Sequence, residues 1–157
     1  MVVLVELIAL ILFLVFSKRD IRKIIFVNPR SLTLGIALGL VYALLIHLSK
    51  QTNLGKNVAA QFIQTIGLRS ILLYIIYPPI IAVSEELIFR YFIPNKFGVL
   101  LTACFFTIIH WRPNFPILLM LPIFLFALCQ SWLLNKTKTI VPSTITHLCV
   151  TYSLLLL

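Results

Sequence analysis

The segment Ser84-Glu85-Glu86-Leu87-Ile88-Phe89-Arg90 sets two carboxylates and a guanidinium in a stretch otherwise made of apolar side chains. Each such group costs roughly 2.5–3.5 kcal/mol at the centre of a membrane helix, so three unpaired ones would oppose insertion by on the order of 8–10 kcal/mol. Glu86 and Arg90 are four apart, share a helical face, and offset part of that cost as an ion pair with Glu on the N-terminal side. Glu85 points about 100° away. Without that partner it is the group left to take and return a proton, as a general base does. Two histidines follow in other apolar runs: His110 closes Phe106-Thr107-Ile108-Ile109-His110, and His147 opens His147-Leu148-Cys149-Val150-Thr151. Phe106 shares a face with His110, and His147 with Thr151. Taken singly, either histidine reads as a hydrogen-bonded packing residue, and the charged trio as a static salt-bridge cluster. Taken together, a glutamate and two imidazoles can deprotonate a water and steady a developing oxyanion. The same three side chains also make a possible zinc set with an open fourth position, although no HExxH-type spacing accompanies them.

These groups need helices to carry them, and the composition says in what solvent. Hydrophobic residues make up 61% of the 157 and charged ones 11%, and the mean hydropathy is +1.10. That is far too little polar surface to clothe a water-soluble globule. The expected fold is all-α, a polytopic transmembrane bundle of about six spans, each needing about 20 apolar residues. The apolar runs are Val2–Phe16, Leu32–Leu48, Arg69–Pro94, Phe97–Trp111, Phe115–Leu134 and Ile140–Leu157. Val58–Ile66 has an apolar and a polar face, which suits an interfacial helix or an extension of the third span. Pro78-Pro79 removes two donors and frees the carbonyls of Tyr74 and Ile75, so the third span is expected either to kink there or to break just before Glu85.

The net charge of +9 does not imply nucleic acid, because every Lys and Arg except Arg90 lies between apolar runs or at their edges. Topology accounts for them. Lys18, Arg19, Arg22, Lys23, Arg30, Lys96, Lys136 and Lys138 fall on one side, expected to be cytoplasmic, against Lys50, Lys56, Arg69 and Arg112 on the other. Both termini are then expected outside the cytoplasm. The first run lacks a basic segment ahead of it and is followed by Lys18 and Arg19, the reverse of a cleaved signal peptide, so it reads as a retained span. Cys104, Cys129 and Cys149 all sit in apolar runs and behave there as small hydrophobes. At about 1.5 Å of rise per residue, Glu85 lies roughly 13 Å from the cytoplasmic end of its span, and His110 roughly 20 Å and His147 roughly 10 Å into theirs, all near mid-membrane. His47 and Glu6 lie near span ends, where interface exposure explains them.

Over roughly residues 70 to 155 the order Glu85-Glu86 with Arg90, then Phe106 with His110, then His147 resembles the CAAX-type prenyl proteases and bacteriocin-processing or immunity proteins of the Abi family. The resemblance divides the chain into N-terminal spans at 1–69 and a catalytic core at 70–157. It implies a multi-pass intramembrane peptidase without metal or cofactor, acting on a lipidated C-terminal peptide or a leader peptide. Glu85 would be the base, His110 its partner, and His147 an oxyanion donor helped by Thr151, with Glu86 and Arg90 orienting the site. Thr151 stands where that family usually has Asn, and Tyr91 where it commonly has Gly. Ala127 and Ser131 stand as the small residues expected in the fifth span. The alternatives are a non-catalytic immunity or scaffold protein of the same family and a zinc-dependent membrane hydrolase.

Overall fold

The computed structural model describes Ile11 and residues 25–66, 71–93, 97–111 and 117–156. Outside these fall the rest of the Val2–Phe16 run, the basic residues at 18–23, 69, 96 and 112, and the side chains of 58, 61–66, 71–74, Tyr91 and Phe92. The described residues are mostly helical, with no strand among them. The helices are α1 (Pro29–Ser49), α2 (Asn53–Ile66), α3 (Ile71–Glu86), a π-helical segment (Leu87–Phe92), α4 (Val99–His110), α5 (Met120–Thr137, preceded by a 3₁₀ turn at Ile117–Leu119) and α6 (Val141–Leu155). Every described apolar run thus carries a helix.

α1 starts where its sequence says it should: the Asn28 side chain accepts from Arg30 N at 2.9 Å, Ser31 reaches back to Asn28, and Pro29 occupies the first turn. Two stretches, Pro29–Ser49 and Ile117–Thr137, are long and apolar enough to cross a membrane, with only 17% and 28% of their apolar windows buried. A helix from the core of a soluble protein would be mostly covered. Here Leu40, Val41, Leu44 and Leu45 on α1, and Leu121 and Leu125 on α5, face outward, as they would toward lipid.

α6 is the centre of the fold, packed against α1, α2, α3 and α5. α1 comes closest because it presents glycine: a Cβ at Gly35 would lie 2.7 Å from both the Pro142 Cα and carbonyl oxygen, and one at Gly39 would lie 2.7 Å from Cys149 Sγ. Small residues that let backbones approach are how apolar helices associate in lipid. The approach lets the Thr146 hydroxyl share its proton between the Gly35 carbonyl at 2.9 Å and the Pro142 carbonyl at 3.0 Å. At the end of α1, buried Lys50 donates to the Ser153 carbonyl and ties α1 to the last turns of α6.

The third run departs from one expectation. α3 does not break before Glu85 but continues through Pro78-Pro79 to Glu86. One freed carbonyl, that of Ile75, accepts a hydrogen bond from Tyr152 Oη of α6 at 3.1 Å, which offsets part of the penalty for keeping proline in a helix. The irregularity comes after the glutamates instead, where Ile93 N bonds to Ile88 O at 2.9 Å, five residues back. Such π turns often occur at functional sites.

Candidate active site

Glu85 and Glu86 end α3, Arg90 sits in the π segment, His110 ends α4 and His147 lies on the second turn of α6. Four elements therefore bring five ionisable side chains to one place. Glu86 is the structural member: its Oε1 lies 3.1 Å from His147 Nδ1 and its Oε2 3.6 Å from Arg90 Nε, with both Glu86 and Arg90 side chains fully buried. Since a carboxylate only accepts, the Nδ1 proton of His147 points at Glu86. Ser143, fully buried, adjoins Glu86 but gives its single proton to the Ile140 carbonyl at 2.8 Å.

Glu85 stands differently. Its Oε2 lies 3.5 Å from His147 Nε2 and 3.8 Å from His110 Nε2, so both rings turn the same nitrogen toward the same oxygen. Glu85 Oε2 is buried and has no direct hydrogen-bond partner. These separations are at or beyond the limit of a direct hydrogen bond. The His110 tautomer follows from its other nitrogen: Nδ1 lies 2.8 Å from the Phe106 carbonyl, which can only accept, so a neutral ring carries its proton on Nδ1. Nε2 then offers a lone pair toward Glu85. The His110 side chain is 31% exposed whereas Glu85 is 8%, so the cluster meets its surroundings on the His110 side.

Aromatic rings hold the charged groups in place. Phe106 is fully buried, with the Arg90 guanidinium carbon 4.6 Å from its centroid and the His110 ring 4.2 Å away. Such a cation over a desolvated ring is worth about 2 kcal/mol. Phe89 meets Phe106 edge-on at 5.4 Å, and Phe126 of α5 meets the His147 ring edge-on at 5.4 Å.

Of the residues singled out from sequence, Glu85, Glu86, Arg90, His110 and His147 are thus in mutual contact. Thr151 is half-buried one turn beyond His147, and the contacts that knit the cluster do not include it. Ala127 and Ser131 are both buried on α5. His47 is exposed near the end of α1, away from the cluster. The three cysteines are free and half-buried. Among the described residues no group of three His, Cys, Asp or Glu side chains meets the geometry of a metal site. Two members of the neighbourhood escaped the sequence reading. Phe126 has no signal of its own among 12 phenylalanines. Gln130 does have one, an amide in the middle of an apolar run.

The family model for the type II CAAX prenyl endopeptidases, Rce1-like, matches residues 67–153, more than half of the chain and the whole of the cluster. The chain belongs to that family. A CAAX prenyl endopeptidase is an integral membrane protease, and membrane, hydrolase and protease all describe this chain. No curated protein and no solved structure matches it.

Proposed function

We propose that the chain is an intramembrane endopeptidase of the glutamate type, cleaving a peptide bond near the lipidated C-terminus of a membrane-associated peptide. The observation that carries this reading is the pair of imidazole Nε2 atoms, on two different helices, turned toward the single oxygen Glu85 Oε2. A water held between Glu85 and His110 has a carboxylate and an imidazole lone pair to accept its proton as its oxygen attacks the scissile carbonyl carbon. The proton passes to Glu85, the carbonyl oxygen becomes an oxyanion, and the C–N bond then breaks as Glu85 returns the proton to the leaving amine. His147 faces the site through Nε2. To donate to the oxyanion there it must carry a second proton, because Nδ1–H is committed to Glu86, and an imidazolium at that place has a carboxylate beside each nitrogen. Thr151 adds a hydroxyl on the same face. Glu86 and Arg90 orient the histidine.

The wider reading goes with it: residues 70–157 form the catalytic core, residues 1–69 supply N-terminal spans, and the chain crosses the cell membrane about six times without needing a metal. Described helices in each described apolar run support the span count, and the family match beginning at residue 67 supports the division. The competing reading, a non-catalytic family member, is favoured by Thr151, a shorter donor where the family usually carries Asn.

One experiment separates them. The detergent-purified protein is offered a prenylated peptide ending in a CAAX motif, in the presence of a chelator. Cleavage is expected, and Glu85→Gln should lower it by on the order of 10²–10⁴-fold, the usual worth of a general base, with unchanged thermal unfolding. Full activity in the Gln variant removes Glu85 as base. Loss of wild-type activity on chelation, restored by zinc, overturns the metal-independent version.

A further inference from the structure

Gln130 is fully buried on α5, and neither Oε1 nor Nε2 of its amide has a hydrogen-bond partner. A primary amide with donor and acceptor both desolvated is costly in apolar surroundings, and a leucine would fill the same space without that cost. The neighbours of Gln130 on its own helix face locate it. One turn before is Phe126, whose ring meets those of His147 and Phe106; one turn after is Leu134, packed against Leu87 and Ile140. On the facing elements Ser143 lies between Ile140 and His147 in sequence, and Glu86, next to Leu87, contacts His147 and pairs with Arg90; all three are buried. Arg90 Nε, Arg90 Nη2 and Glu86 Oε2 are also buried and have no hydrogen-bond partner. A neutral amide and a carboxylate–guanidinium pair with three unused positions therefore share one level of the bundle.

We propose that Gln130 is a positioning residue of the peptidase: through buried water its amide completes the hydrogen bonding of Arg90 and Glu86 and so keeps Glu86 set against His147. A buried water needs two to four polar partners, and these groups supply both kinds. The amide carbonyl accepts, by way of water, what the guanidinium donates; the NH₂ donates, by way of water, toward Glu86 Oε2. A neutral residue suits the place because a further charge would compete with Arg90 for Glu86. The inference rests on the peptidase reading for its effect on rate, but the Gln130–Arg90 linkage itself does not.

The test has two arms. In the first, Gln130→Leu is expected to lower kcat toward the prenylated peptide on the order of 10- to 100-fold with little change in KM, as misplacement of a reacting group does. Gln130→Asn, which keeps the amide one methylene shorter, is expected to recover most of that loss. Unchanged kcat in the Leu variant, or equal loss in both, overturns the proposal. In the second arm, which needs no substrate, the protein in micelles is labelled with ¹⁵N at its glutamine side chains, at positions 51, 61, 64 and 130. The resonance missing in Gln130→Leu is that of Gln130. It is expected to show transfer from water and to move in Arg90→Lys, or in Glu86→Gln should the lysine variant not fold. A Gln130 resonance without water contact that ignores both variants sinks the linkage. If the wild type cleaves nothing yet the resonance behaves as expected, the peptidase reading fails and the linkage stands.

Discussion

The two histidines of the cluster differ by what their Nδ1 atoms face. That of His110 is fixed by a backbone carbonyl, which cannot change its charge, whereas that of His147 faces the Glu86 carboxylate. Either neutral ring accepts at Nε2; only His147 has a carboxylate beside Nδ1 to balance a second proton on the ring. This difference gives Thr151 its interest. A hydroxyl beside the proposed oxyanion donor His147 is shorter than the Asn amide usual in the family, and one well-aimed donor is worth about 3 kcal/mol. Thr151→Asn is therefore expected to raise kcat by up to about 100-fold, and Thr151→Val to lower it about tenfold, measured on the same prenylated peptide with KM followed separately. An Asn variant no faster than wild type would show that the side chain at 151 does not reach the oxyanion. The meeting of Glu85, Glu86, Arg90, His110 and His147 was legible in the sequence because an ionisable group in an apolar run stands out against its surroundings. Phe126 and Gln130 were not read, for opposite reasons. A phenylalanine among many carries no mark, and a neutral amide is cheap enough in a span to pass for packing.

At the scale of elements, apolar pattern located the described helices but not their irregularities. Two adjacent prolines promised a break or a kink in the third run, yet whether a helix survives proline depends on who satisfies the freed carbonyls. That partner, Tyr152, is 77 residues away. The π turn that carries Arg90 left no trace in local composition either. The α1–α6 contact is likewise a tertiary fact, and it makes a sharp prediction. A methyl added at Gly39 lies 2.7 Å from Cys149 Sγ and 2.9 Å from its Cβ, closer than side chains tolerate. Gly39→Ala should destabilise the protein by about 1–3 kcal/mol, the usual range for overpacking. Cys149→Ala removes the sulfur and should restore part of that loss in the double variant, with a coupling of about 0.5 kcal/mol or more in denaturant unfolding from micelles. Because α6 also carries His147, the Gly39 variant should lose activity along with stability. Additive losses would mean that the helices shift apart rather than press on Cys149.

For the whole molecule, the proposed six-span arrangement has to fit helices of unequal length into one bilayer. The hydrocarbon is about 30 Å thick; at about 1.5 Å per residue the 21-residue stretch Ile117–Thr137 spans it, but the 12 residues of α4 cover only about 18 Å. α4 therefore crosses only if neighbouring protein or a thinned bilayer makes up the difference. Its packing against α5 and the π segment provides such cover, and its C-terminal end brings His110 beside Glu85. The long stretch is the better ruler of topology. It separates Arg112 from Lys136, which belong to opposite sides in the reading that puts eight loop cations in the cytoplasm and four outside. In a background where Cys104, Cys129 and Cys149 are replaced by alanine, a single cysteine at Arg112 should react with a membrane-impermeant maleimide on intact expressing cells. One at Lys136 should react only after permeabilisation. The reversed pattern would invert the orientation while keeping the crossing; reaction at both positions on intact cells would mean that Ile117–Thr137 does not cross, and with it the six-span arrangement would fall.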